Sequence, residues 1–407
     1  MTEPAAELKR SISLPLLTFY GLGTILGAGI YVLVGEVVAV AGIRAPIAFL
    51  VAAVLVVFTA FSYAELSSRF PRSAGEAVYM MEAFHNRRFA LIMGLLVILI
   101  GLVSSATIVN GFVGYFRVFL EWPPWLIIIL LVAALGTLAA WGISESVWVA
   151  TVVTVLEILG LFLIVWVAGD SLATLPARLP EFTREGITEG VWIGIFAGAF
   201  LAFYAFIGFE DMVNVAEEVK EPRRNLPCGI LLALVLSSSL YVLVVLVSVL
   251  AMPVTELAGQ TAPLARVYEY RTGEHPTLIS LISLVAVING ALIQIIMASR
   301  VLYGLSWQGW LPTIFSRVHP RRRTPLYATA LVVVLVLVLA LWFPLITLAK
   351  ATSLVTLVVF ALVNLSLIRV KRRDRHPAGA WVVPVWVPVF GFLVSAAFVI
   401  YQLVLGA

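Results

Sequence analysis

The chain has 407 residues, of which 62% are hydrophobic and 12% charged, with a mean hydropathy of +1.08 and a net charge of +4. Soluble domains carry about 25% charged residues, so this composition excludes a soluble or disordered chain and indicates a polytopic helical membrane protein. A single cysteine, Cys228, excludes an intramolecular disulfide, and His85, His275, His319 and His376 lack ligand spacing, so neither metal nor cofactor is expected.

In chain order, residues 1–11 form a short N-terminal segment, followed by an apolar run from Ser11 to Val40. Lys9 and Arg10 resemble the start of a signal peptide, but the run is too long for one and lacks a convincing cleavage site, so it is read as a retained helix. As one helix its 30 residues would reach ~45 Å, against a hydrocarbon core of ~30 Å. It also carries Gly21, Gly23, Gly27 and Gly29, each unfavourable in a helix. Two readings stay open. A break near Gly27-Ala28-Gly29 would mark a transporter's binding site, whereas Gly23 and Gly27, four apart, would let a neighbouring helix approach.

Ten further apolar runs follow, at about 45–66, 89–116, 125–142, 147–168, 190–216, 228–252, 277–305, 326–346, 350–369 and 384–405. With the N-terminus in the cytoplasm, basic clusters at 9–10, 69–88, 220–224, 300–323 and 369–375 place 19 of 26 basic residues inside. That asymmetry supports both the span count and the orientation of the multi-pass chain, which is expected in the cytoplasmic membrane. Anionic lipid at the inner face accounts for the basic charge without any nucleic-acid partner.

The sixth span repeats the oddity of the first. Gly194 and Gly198 precede, and Gly208 interrupts, an aromatic-rich run from Phe200 to Asp211. A glycine break five spans after the first is what an inverted five-plus-five repeat produces. The halves would be 12–169 and 190–369, joined by an extracellular loop at 170–189; a cytoplasmic loop at 370–383 would lead to an added eleventh span at 384–407. Half-helix ends at the midplane offer N–H groups to an anion and C=O groups to a cation, and a zwitterionic amino acid carries both charges.

Four motifs in order then carry a resemblance: Gly23–Leu33, Phe61–Glu76, Phe203–Phe209 with Ala216–Pro227, and Ser299–Gly304 with Gly309–Pro312. Together they resemble the amino acid–polyamine–organocation (APC) superfamily of permeases, closest to its cationic-amino-acid-transporter-like branch. The resemblance implies an all-α LeuT-type fold with broken helices 1 and 6, alternating access and amino acid transport. It implies that the backbone of Ile25, Leu26, Gly27, Ala28 and Gly29 holds the substrate's carboxylate and part of its amino group. Phe203, Ala205 and Ile207 would offer carbonyls to the amino group, Tyr204 would be an aromatic gate, and Phe206 belongs to the same segment. A lipid-facing or packing stripe is the competing reading of these aromatics.

One departure from that family is informative. Counting on from Gly142–Val147, Glu157 falls where several proton-coupled relatives carry a lysine. It is the midpoint of the apolar run Val147–Val167, and a carboxylate at that depth faces the bundle interior. It is a proton-coupling candidate, with a counter-ion for a cationic substrate or a plain interhelical hydrogen bond as alternatives. Glu210 and Asp211 are read as helix caps. Ser104, Asn289 and Ser353 are cavity candidates, as are Gln294, Ser105 and Thr352 at lower weight. No second intramembrane acid is thereby placed in the cavity, which favours neutral or broad specificity.

The expectation is a secondary active transporter of amino acids, a proton symporter, with an exchanger or a non-transporting substrate sensor as alternatives. No catalytic constellation lies at depth, so an enzyme is not expected. The partners expected are an amino acid, protons and the lipid bilayer, in a monomer or homodimer.

Overall fold

The computed structural model describes residues 10–72, 75–141, 147–183, 189–319, 324–375 and 377–405. Gly142–Ser146, from which the position of Glu157 is counted, lie outside the described residues, as do Lys9, Ser73 and Ala74. The first apolar run is two helices, α1 (Leu14–Leu26) and α2 (Ala28–Ala41), separated at Gly27. Next come α3 (Ala45–Arg69), a short α4 (Gly75–Phe84), α5 (Arg87–Phe116), α6 (Pro124–Trp141) and α7 (Val147–Ala168). A connecting α8 (Leu175–Thr183) leads to α9 (Glu189–Phe203), which ends in two 3₁₀ segments, Tyr204–Phe206 and Phe209–Glu218. Beyond these lie α10 (Pro222–Ala251), the short α11 (Val254–Leu257) and α12 (Pro263–Thr272), then α13 (Thr277–Trp307), α14 (Leu326–Trp342), α15 (Leu345–Arg373) and α16 (Trp386–Leu405).

Among the described residues there is no strand, only an isolated bridge between Ile12 and Val219. Among the described residues nine helical stretches are long and apolar enough to cross a membrane, and the shorter Leu14–Leu26 and Leu326–Trp342 are apolar too. The protein is an all-α, multi-pass membrane protein. Large apolar side chains such as Phe162, Val235, Trp342 and Leu393 stand exposed on the outer faces, where lipid rather than water is the fitting solvent.

Local chemistry sets the helix ends. The Asn86 side chain accepts from the Arg88 N–H at 2.9 Å and caps α5, and α1, α3, α10 and α12 carry proline in their first turn, where its missing N–H is harmless. In the interior, α13 packs along α5, α3 along α10, and α1 against both α10 and α7. At one end of α3 the buried Glu65 accepts from the Lys371 ammonium at 2.6 Å, the Val383 N–H at 2.8 Å and the Arg69 guanidinium. This tie fixes α3, α15 and the approach to α16 as one frame around the interrupted helices.

The interruptions themselves touch. Gly208 has φ +129°, and a Cβ there would sit 2.2 Å from the Thr24 carbonyl oxygen. Only glycine meets both demands. A Cβ on Gly29 would likewise fall 2.5 Å from the Ala205 Cα. Both readings of the glycine-rich run are realised at different residues: Gly27 lies at the break, while Gly23 packs against Thr154 of α7, where a Cβ would meet the hydroxyl oxygen at 2.1 Å.

Candidate functional site

Where the two breaks meet lies a small cavity of about 30 Å³. Its wall is formed by Thr24, Ile25, Gly27 and Gly29 from the first break and Tyr204, Ile207 and Asp211 from the second. Ser104 and Ile108 of α5 and Gly290, Ile293 and Gln294 of α13 complete it. A second cavity, a vestibule of about 870 Å³, begins where this one ends, and Asp211 and Ile293 line both. It runs past Tyr20, Asn214, Met297 and Arg300 to Ser11 and Gln308. At the opposite end a loop packs tightly against α2 and α5. The Gly259 N–H donates to the Gly35 carbonyl at 3.0 Å, and a Cβ on Gly35 or Gly114 would run into the backbone of Gln260 or Thr261.

The breaks are held by a tyrosine from a third helix. The Tyr241 hydroxyl of α10, fully buried, lies 2.6 Å from the Ile25 carbonyl oxygen and 2.9 Å from that of Ala205, one donor serving both. The Tyr204 hydroxyl lies 3.1 Å from the Ser104 hydroxyl and donates to the Ser104 carbonyl at 3.2 Å. That ring is therefore pinned across the cavity to α5. Glu210 is a cap, as its position suggests: its Oε2 accepts from the Gly208 N–H at 2.9 Å. Asp211 is not so engaged. Its Oδ2 accepts from the Gln294 side-chain N–H at 3.2 Å.

Of the residues singled out from sequence, Ile25, Gly27, Gly29, Tyr204, Ile207, Ser104 and Gln294 border this cavity. Leu26, Phe203 and Phe206 are buried away from its wall; Phe203 packs on Phe360, and Phe206 on Phe49 and Tyr241. Ala28 opens α2 and Ala205 supplies the carbonyl that Tyr241 holds. Asn289, beside Gly290, is buried with both side-chain amide atoms unpartnered, and the Ser353 hydroxyl is buried and unpartnered too. Glu157 is fully buried on α7 and borders neither cavity. Its backbone carbonyl accepts from the Tyr31 hydroxyl at 2.5 Å, and its carboxylate lies within electrostatic reach of the Tyr31 and Tyr241 hydroxyls.

Thr24, Ile108, Gly290 and Ile293 were not read as site residues from sequence, and Asp211 was read only as a cap. On α13 the signal was present: Gly290, Ile293 and Gln294 stand at i, i+3 and i+4 and share one helix face.

The sequence has counterparts among known proteins. A family model described as amino acid permease matches residues 12–406. The branched-chain amino acid permease BcaP of Bacillus subtilis is 31% identical over 92% of this chain and 83% of its own length. Cationic amino acid transporter 2, vacuolar, of Arabidopsis thaliana is 30% identical over 89% of this chain but only 60% of its own. The methylthioribose transporter of Bacillus subtilis is 28% identical over 94% of this chain and 86% of its own length. The chain belongs to the amino acid permease family of the APC superfamily.

Proposed function

We propose that the protein is a secondary active transporter that moves amino acids across the cytoplasmic membrane by alternating access, with protons as the coupling ion. One observation carries this reading: two interrupted helices meet at a small cavity that continues into a wide vestibule on one side, with the loop at Gly259–Thr261 packed against α2 and α5 on the other. Backbone groups freed at such breaks recognise both ends of a zwitterion, and a site open to one side is half of an alternating cycle. The backbone from Ile25 to Gly29 would take the carboxylate, the segment Phe203–Ile207 the amino group, and Tyr204 would close over the substrate. With the N-terminus in the cytoplasm the vestibule faces inward. The inverted halves 12–169 and 190–369 would each contribute one of the two interrupted helices to the site. A buried carboxylate on α7, Glu157, supports proton coupling.

Purified protein in liposomes tests this directly, using labelled amino acids with an inward proton gradient, an inward sodium gradient, or substrate loaded inside. Proton-driven accumulation is expected. Movement only against internal substrate would make the protein an exchanger. Binding without movement under any condition would replace transport with sensing.

A further inference from the structure

The relatives' names state different substrates, branched-chain in one and cationic in another, so kinship leaves the substrate's side chain open. The cavity wall carries information of its own. Asp211 is 6% exposed and lines both the central cavity and the vestibule. Gln294 lines the central cavity beside it and is 7% exposed. The Gln294 side-chain N–H is spent on Asp211, and its Oε1 has no hydrogen-bond partner. The Asp211 carboxylate thus lines the space with the orphaned amide oxygen buried beside it, and an ionised carboxylate and an amide oxygen are both acceptors.

The surroundings sharpen that imbalance. Behind Asp211 lie Glu210, turned to the Gly208 N–H, and Glu76 of α4, which accepts from the Tyr63 hydroxyl at 3.1 Å. The three carboxylates are close enough to repel one another. Among the described residues none of the three has a lysine or arginine partner. The basic side chain of the vestibule, Arg300, stands exposed on its wall, and Glu218 shares that wall. Buried carboxylates without a counter-charge are costly, and an acceptor-only set is completed by a ligand that brings donors and positive charge. Size points the same way. The central cavity has room for about two water molecules, so a substrate anchored at the breaks must project past Asp211 and Ile293 into the vestibule.

We propose that Asp211 and Gln294 form the subsite for a cationic group, an ammonium or guanidinium, on the substrate's side chain, so that the substrate is a basic amino acid. This assignment rests on the transport reading of the central cavity. It also reverses the expectation of neutral or broad specificity, which assumed that no second acid reached the cavity.

The test compares arginine with citrulline, its uncharged near-isostere, in uptake by the full-length protein in liposomes. Wild type is expected to favour arginine by about tenfold or more in uptake efficiency, and Asp211→Asn to cut that ratio about tenfold, with Asp211→Glu retaining most of it. A wild-type ratio near one, or favouring citrulline, overturns the assignment without any variant. So does an Asp211→Asn protein that keeps the ratio, or one that keeps it while losing only proton-driven accumulation, which would make the cluster a proton store. Should Asp211→Asn fail to fold, Gln294→Met, which removes the orphaned acceptor, is expected to lower the ratio, and an unchanged ratio overturns the proposal. Wild type that moves no amino acid at all would instead remove the transport reading, an outcome distinct from selective uptake of neutral amino acids.

Discussion

Glu157 and Asp211 are both buried carboxylates beside the same interrupted helices, and they face different surroundings. Glu157 sits on α7 among tyrosines, with Tyr31 bonded to its backbone and Tyr241 within electrostatic reach, and borders neither cavity. Asp211 sits where the central cavity opens into the vestibule. The difference teaches that depth in the membrane identifies an acid worth attention, while access decides what it can meet. A sealed carboxylate exchanges something as small as a proton; one on a cavity wall can meet a substrate's charge.

The glycines on the two sides test that contrast most severely. Gly208→Val, on the Asp211 side, forces a β-branched residue to φ +129° and into the Thr24 carbonyl, so a loss of about 3 kcal/mol or more is expected, read as absent or unfolded protein on detergent gel filtration. Gly23→Ala, on the Glu157 side, meets the Thr154 hydroxyl rather than backbone, so it should cost less and leave folded protein. Equal damage from the two would mean that the breaks are not held by backbone contact.

The two carboxylates come next. Glu157→Gln is expected to lower proton-driven accumulation about tenfold relative to exchange, while moving the arginine-to-citrulline ratio by less than about twofold. If it shifts both readouts, as Asp211→Asn would on the other side, the two acids work as one unit and the contrast collapses. Tyr241→Phe removes the donor that joins Ile25 to Ala205 and should lower thermal stability by about 1 kcal/mol, with a larger change in substrate KM than in maximal rate. Stability lost with KM unmoved would leave Tyr241 a packing residue.

The smallest effect expected is a slope with pH. Burial pushes the Glu76 carboxyl up from 4.5 to about 7, partly offset by its hydrogen bonds from its own backbone and from Tyr63. The fold therefore favours the neutral form. Its contribution is fully present below the ordinary value near 4.5 and is lost as pH rises through about 7. Thermal unfolding midpoints should fall over that window in wild type and fall less in Glu76→Gln. Identical profiles would show that Glu76 does not govern the slope.

Much of this architecture was legible beforehand. Hydropathy placed the spans, because lipid demands long apolar helices, and glycine density placed both breaks, because glycine weakens a helix and at Gly208, with φ +129°, it alone tolerates the backbone. Tyr204 and Ser104 were legible as cavity residues, but the bond between them was not, since it joins helices a hundred positions apart. Tyr241 left no local signal: a tyrosine amid Leu, Val and Ser reads as packing until its hydroxyl is seen between two carbonyls.

The adjacent acids mark the boundary most sharply. By itself the sequence determined that Glu210 and Asp211 follow a glycine break and precede a helical segment, and it allowed both to be caps. The tertiary structure decided that they part ways. The segment is a 3₁₀ helix, in which successive side chains point about 120° apart. One acid therefore turns back to the Gly208 N–H, and the other turns to Gln294 and the cavity. Local pattern sets where the backbone bends, but which side chain meets open space depends on helices brought together from distant parts of the chain.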